Sequence, residues 1–161
     1  QRAGYEVGER IAVLRRRLAG YRPPINRLQV AIRRNTVLRV IDEPTRRTWW
    51  EAATTTGIAL RRYELRNHSE EVLGSASLWD MQPLSSAWGV TAAGLLHIDI
   101  EGPRRRQGLA KYVVAEAMHD LAEEGVSLME THVATSNAAA LALFESLGFE
   151  TAEFGTVFRK P

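Results

Sequence analysis

The chain has 161 residues, 45% of them hydrophobic and 25% charged, the balance of an ordinary globular protein able to bury its own core. It holds no cysteine, which excludes disulfides, thiolate metal sites and cysteine nucleophiles, and no apolar run approaches the ~18–20 residues of a membrane-spanning helix. The net charge of +2 is unevenly spread: residues 1–66 carry 15 arginines against 6 acidic residues, and residues 67–161 carry 6 basic against 13 acidic residues.

Glu9 to Leu18 places Ile11, Leu14 and Leu18 at helical spacing, but the stretch is also short enough for an edge strand, and both readings stay open. Gly20 and Pro23-Pro24 break what precedes them, so residues 1–24 are expected to be a linker or the tail of an upstream element. Leu28, Val30 and Ile32 alternate, as do Val37, Arg39 and Ile41, which predicts a strand pair around Asn35 or one bent strand ending at Pro44. Thr45 or Thr48 can cap a short helix holding Trp49 and Trp50, closed by Gly57. Ile58–Arg66 and Val72–Trp79 read as a hairpin about the Asn67-His68-Ser69 turn. Pro83–Thr91 reads as a loop. Leu95–Ile100 reads as a strand with Leu96, Ile98 and Ile100 on one face and His97, Asp99 and Glu101 on the other.

The clearest helix spans about 107–124, with Leu109, Val113, Ala117 and Leu121 four apart and Gly125 as its stop. Val126–Val133 is a strand, Asn137–Leu147 a second amphipathic helix, and 149–154 and 156–159 are closing strands. Strand, helix and strand in that order favour a parallel pair, so the fold class is α+β, a mixed sheet carrying helices.

Chemistry concentrates at Glu101-Gly102-Pro103-Arg104-Arg105-Arg106-Gln107-Gly108-Leu109-Ala110, between a strand and a helix. The first amides of a helix have no partner within it and sit at the positive end of its dipole. Gly108 and Ala110 remove side-chain bulk there, and three arginines add charge, which suits a pyrophosphate. The Lys-Ser/Thr of a P-loop and the three spaced glycines of a dinucleotide fingerprint are both absent, so ATP, GTP and NAD are poorly supported.

Arg105-x-x-Gly108-x-Ala110, preceded by a strand and followed by an amphipathic helix, resembles the pyrophosphate signature of the GNAT N-acetyltransferase superfamily. Asn137, Ala140, Leu143, Phe144, Glu145 and Leu147-Gly148-Phe149 resemble that family's downstream segment. The resemblance implies a GNAT-like domain over 25–161. Its mostly antiparallel, twisted sheet would carry flanking helices and a central parallel strand pair splayed at a bulge.

The resemblance also implies acetyl-CoA as acyl donor, a primary amine as acceptor, and no metal or membrane. Ile98, Asp99 and Ile100 would pair with the pantetheine arm. The amides of Arg105, Arg106, Gln107, Gly108, Leu109 and Ala110 would hold the pyrophosphate, and Asn137 and Phe144 would border the cofactor. A base must accept the amine's proton. Histidine suits by type, with an ordinary pKa of about 6.5, so His97 and His132 are the catalytic candidates and Glu130 a weaker one. Phe144 stands where many members have a tyrosine that protonates the leaving thiolate. This motivates an alternative, a non-catalytic acyl-CoA-binding or regulatory domain.

Trp49 and Trp50 read as core, although the family's first helix and following loop border the acceptor site. The arginine-rich first part reads as solvated faces. A polyanion surface is the third reading, but no aromatic interleaving or nucleic-acid motif accompanies it, and nucleic acid is disfavoured as a partner. A homodimer or a tandem partner domain is open. Gln1 is not an initiator methionine and no signal-peptide pattern opens the chain, so a cytoplasmic location is expected.

Overall fold

The computed structural model describes residues 4–43 and 60–160. The short helix expected around Trp49 and Trp50 lies outside the described residues. In chain order the elements are β1 (Glu6–Arg17), α1 (Arg27–Asn35), β2 (Thr36–Glu43), β3 (Leu60–Asn67), β4 (Val72–Asp80), α2 (Gln82–Trp88) and β5 (Ala92–Ile100). A 3-10 turn (Gly102–Arg104), α3 (Leu109–Glu123), β6 (Leu128–Ala134), α4 (Ala138–Ser146) and β7 (Glu150–Arg159) follow. The chain divides into two compact units, Arg17–Met129 and the combined segments Gln1–Arg16 and Glu130–Pro161.

In the larger unit β2, β3, β4 and β5 form an antiparallel meander. The β3–β4 turn is set by Asn67, whose Oδ1 accepts from the amides of Ser69 and Glu71, both at 2.9 Å. Helix α3 packs across β4, with β3 and β5 at its flanks. It buries Leu109, Val113, Val114, Met118 and Leu121 against a sheet face that includes Tyr63, Leu65 and Leu78. Each large side chain removed from water in this way contributes about 1.5–3 kcal/mol. Glu64 is buried on β3 between two arginines, with Arg66 Nη2 at 2.6 Å and Arg62 Nη1 at 3.5 Å.

Two expectations fail in this unit. Residues 27–35, read as a strand from the alternation of Leu28, Val30 and Ile32, form helix α1. Asn26 caps it by accepting the Gln29 amide at 2.9 Å, a bond worth about 1 kcal/mol, and Gln29 and Ile32 turn inward. Most of the first part of Pro83–Thr91, read as loop, belongs to helix α2 (Gln82–Trp88). Pro83 falls in its first turn, where no intrahelical N–H bond is lost, and Gly89 closes it with φ 69°.

In the smaller unit β1 lies between β6 and β7. It pairs with β7 antiparallel from Glu6 opposite Arg159 to Arg15 opposite Glu150. Residues 6–17 are therefore not a linker or a tail but a twelve-residue strand, with Ala12 and Leu14 buried on one face. The two expected closing strands are one continuous strand, β7.

Candidate active site

Strand β5 leads to the site, and its register departs from simple alternation. His97 pairs with Ser77 and Leu95 with Leu78, which leaves Leu96 as an extra residue opposite β4, a β-bulge. Before the bulge, Ala92 to Leu95 are buried; after it, Leu96 is 57% exposed and His97 and Asp99 are exposed, with Ile98 and Ile100 half-buried. The expected apolar face of Leu96, Ile98 and Ile100 thus loses Leu96 to solvent. Gly74 lets the two backbones approach closely here, because a Cβ on it would lie 2.9 Å from the Asp99 carbonyl oxygen.

Beyond Ile100 the chain turns through the 3-10 segment into α3. The Arg104 amide bonds to Glu101 O at 2.8 Å and the Arg105 amide to Gly102 O at 3.3 Å. Two left-handed residues then follow within three positions, Arg106 with φ 62° and Gly108 with φ 79°. A non-glycine residue in that region is strained, which sequence alone does not reveal. Gly108 is needed on two counts, its positive φ and its close approach to α1, since a Cβ would sit 2.8 Å from Leu28 Cδ2. The first bond of the α3 ladder runs from the Tyr112 amide to Gly108 O at 3.0 Å, so the amides of Gly108, Leu109, Ala110 and Lys111 lie ahead of it.

Arg104, Arg105, Arg106 and Gln107 are exposed around these amides. Arg105 Nε is drawn back to Ile100 O at 3.2 Å and Gln107 Nε2 to Pro103 O at 3.3 Å. Arg104 and Arg106 instead border a cleft of about 630 Å³ whose opposite wall is Leu28, Ile32 and Asn35 of α1. Among the described residues these amides and the Arg104 and Arg106 guanidinium groups have no partner, and with the helix dipole they make this a place for an anion with an adjoining organic body.

The larger unit therefore brings His97, Ile98, Asp99, Ile100 and Arg105 to Ala110 onto one strand–turn–helix segment. Asn137, Phe144 and His132 belong to the smaller unit. There Asn137 Oδ1 accepts from the Ala140 amide at 3.1 Å and so caps α4. Phe144 is 4% exposed and meets Phe149 edge-on at 5.1 Å between ring centroids. His132 is exposed, with Nε2 3.0 Å from Oε1 of Glu130; the buried Glu130 takes Arg15 Nε on its other oxygen at 2.7 Å. Sequence reading missed this triad because Arg15 and Glu130 are 115 residues apart. Among the described residues no cluster of histidine and acidic residues could hold a metal ion, and no helix is long and apolar enough to cross a membrane.

A bulged strand runs into a helix start whose first amides precede the ladder, on an α+β fold, and such a helix start is receptive to anions. The model of the GNAT family, Acetyltransferase (GNAT), matches residues 29–149, and the chain belongs to that family. The ribosomal protein bS18-alanine N-acetyltransferase of Escherichia coli (strain K12) is 40% identical over 60 residues, 37% of this chain and 40% of that protein. The match thus spans well under half the length of the curated relative. A GCN5-related N-acetyltransferase from Sphaerobacter thermophilus superposes with a TM-score of 0.66 at 16% identity, covering 98% of this chain and 53% of the other. A tandem GNAT protein from the clavulanic acid biosynthesis pathway gives 0.65 at 14% identity, with 98% and 56% covered. At such identities the likeness is one of fold, and it agrees with the α+β, GNAT-like class read from the sequence.

Proposed function

We propose that the protein is an N-acetyltransferase that moves acetyl from acetyl-CoA to a primary amine by direct attack. The observation that carries this reading is the run of unpartnered amides around the left-handed Gly108, next to the bulged end of β5. Family membership and the N-acetyltransferase relative support it. Acetyl-CoA supplies a thioester whose carbonyl carbon the amine nitrogen attacks; a C–N bond forms, the C–S bond breaks and CoA leaves as the thiol.

The chain's own work is to hold and to orient. The amides of Arg106 to Ala110 and the guanidinium groups of Arg104 and Arg106 receive the pyrophosphate. The backbone of Ile98, Asp99 and Ile100 takes the extended arm as an added strand. His97, exposed beside the bulge, accepts the proton that the amine must lose, directly or through water. The cytoplasm, where acetyl-CoA is available, is the compartment this reading assigns.

Phe144 favours one rival, an acyl-CoA-binding domain without turnover, since its ring has no hydroxyl to protonate the thiolate. A thiol with a pKa of about 8.5 is nonetheless a tolerable leaving group without an acid. Asn137 and Phe144, whose observed contacts are structural, are not needed for the reading.

Titration calorimetry with acetyl-CoA tests the cradle. Gly108→Glu puts a side chain and a negative charge on the amides and should weaken binding roughly 10–100-fold, the worth of one charge-assisted hydrogen bond. Unchanged affinity would remove the proposal. Thiol release with an amine panel then separates the enzyme from the binder.

A further inference from the structure

Strand β7 ends the order of strands, and among the described residues its outer edge meets no other strand. All its residues, Glu150–Arg159, are exposed. An edge of that length presents a row of unpaired N–H and C=O groups, a template for another strand. The devices that usually blunt such an edge are missing from residues 153–159. They hold no lysine and no proline, and the register shift that adds Ala152 to β7 lies before them.

Residues 153–159 read Glu-Phe-Gly-Thr-Val-Phe-Arg, a segment complementary to its own reverse. Two copies related by a two-fold axis pair such strands antiparallel, with one residue opposite its own counterpart. With Thr156 at the axis, Phe154 lies opposite the partner's Phe158, Gly155 opposite the partner's Val157 and Glu153 opposite the partner's Arg159. Each pairing occurs twice. Aromatic pairs and opposite charges facing across strands both stabilise a sheet. Centring on Phe154 instead sets Glu150 opposite Phe158, and centring on Gly155 sets Glu153 opposite Val157. Both leave a carboxylate against an apolar side chain, so the Thr156 register is favoured.

The side chains of the smaller unit agree with this. Phe154, Thr156 and Phe158 alternate onto one face of β7. The two rings are 56% and 59% exposed, and the exposed Val7 lies opposite Phe158 on β1. Arg10 covers one side of the Phe154 ring, its guanidinium carbon 4.3 Å from the centroid. On the other face, Glu153 gives one oxygen to Arg15 and Arg159 extends into solvent. Nothing in its own chain calls for a glycine at 155, since a Cβ there would meet no described atom within 4 Å. Opposite the β-branched Val157 of the partner subunit, the missing side chain gives room.

We propose that β7 is the self-pairing edge of a homodimer, in which the strands of two copies run antiparallel about Thr156 and join their sheets. Glu153 and Arg159 set the register, and Phe154 and Phe158 cover each other's apolar faces. The dimer stands apart from the acetyltransferase reading and does not depend on it.

The test is sedimentation velocity of the full chain over a concentration series reaching about 100 μM, where the wild type should show a monomer–dimer equilibrium. Glu153→Arg sets guanidinium groups opposite each other, and Arg159→Glu sets carboxylates opposite each other. Each alone should weaken dimerisation at least about tenfold. Mixed in equal amounts, the two variants should form a heterodimer, because every facing pair then carries opposite charges again. Phe158→Ser, at an exposed position, should also weaken dimerisation. Thermal melting followed by circular dichroism reports that each variant is folded. If Glu153→Arg, which also loses the Arg15 contact, does not fold, Arg159→Glu and Phe158→Ser carry the test. A wild-type chain that stays monomeric throughout, folded variants that dimerise like the wild type, or a mixture of folded variants without heterodimer would overturn the proposal.

Discussion

Trp79 and Gly94 face each other across β4 and β5, and the indole occupies the space that a Cβ on Gly94 would fill. An alanine there must push the ring aside or part the strands. Overpacking of this kind costs about 1–3 kcal/mol. Gly94→Ala should lower the melting temperature by several degrees and shift the tryptophan emission. Wild-type stability in thermal denaturation would mean that the ring moves freely, and the close contact would lose its significance.

The smaller unit has its own buried charge. Glu130 has an 8% exposed side chain and is met by Arg15 on one oxygen and by His132 on the other. Arg15 also reaches Glu153 on β7 at 3.2 Å, so one guanidinium links three strands of this unit. Arg15→Met keeps much of the aliphatic volume and strips Glu130 of its closest donor. A stability loss of about 1–3 kcal/mol is expected, the cost of a buried acceptor left short of a partner. Glu130→Gln should cost less, because the amide oxygen still accepts from Arg15. Equal losses for the two variants in urea denaturation would contradict this ranking.

The helix and strands around the cradle were legible because their signals are local. Leu109, Val113, Ala117 and Leu121 mark one face of α3, Asn67 marks the hairpin turn, and the small residues 108 and 110 mark the anion-receptive start. The misread elements failed for physical reasons. Leu28 and Ile32 fit helical spacing as well as alternation, and the Asn26 cap decides between them. Pro83 breaks a helix only beyond the first turn. Strand β1 owes its state to β7, some 140 residues away in sequence, and no local pattern encodes that pairing. The bulge at Leu96 is a matter of register, which apolar alternation alone predicted wrongly.

Asp120 supplies a pH-dependent prediction. Its carboxyl is pushed above the ordinary aspartate range, first by burial and further by Glu124, with His119 and Arg61 opposing. A carboxyl raised in the folded state favours folding while it is protonated, below its unfolded pKa of about 4. That contribution is lost as pH rises through the folded value. Its negative charge also sits near the C-terminal end of α3, where the dipole disfavours it. Asp120→Asn should therefore raise stability at neutral pH, with the gain shrinking as pH falls toward 4 and below. A gain independent of pH would assign the effect to packing instead.

His97 is the proton acceptor in the proposed reaction. Its place beside the bulge, where Leu96 breaks the pairing, puts an imidazole next to the strand segment expected to receive the acyl arm. General base catalysis of this kind contributes roughly 10²–10⁴-fold. His97→Gln should reduce kcat by that order while acetyl-CoA affinity in calorimetry stays unchanged, since the cradle lies on the far side of Ile98–Ile100. Exogenous imidazole should restore part of the rate if the ring acts by taking a proton. A variant with wild-type kcat would move the proton acceptor elsewhere and leave the cradle untouched.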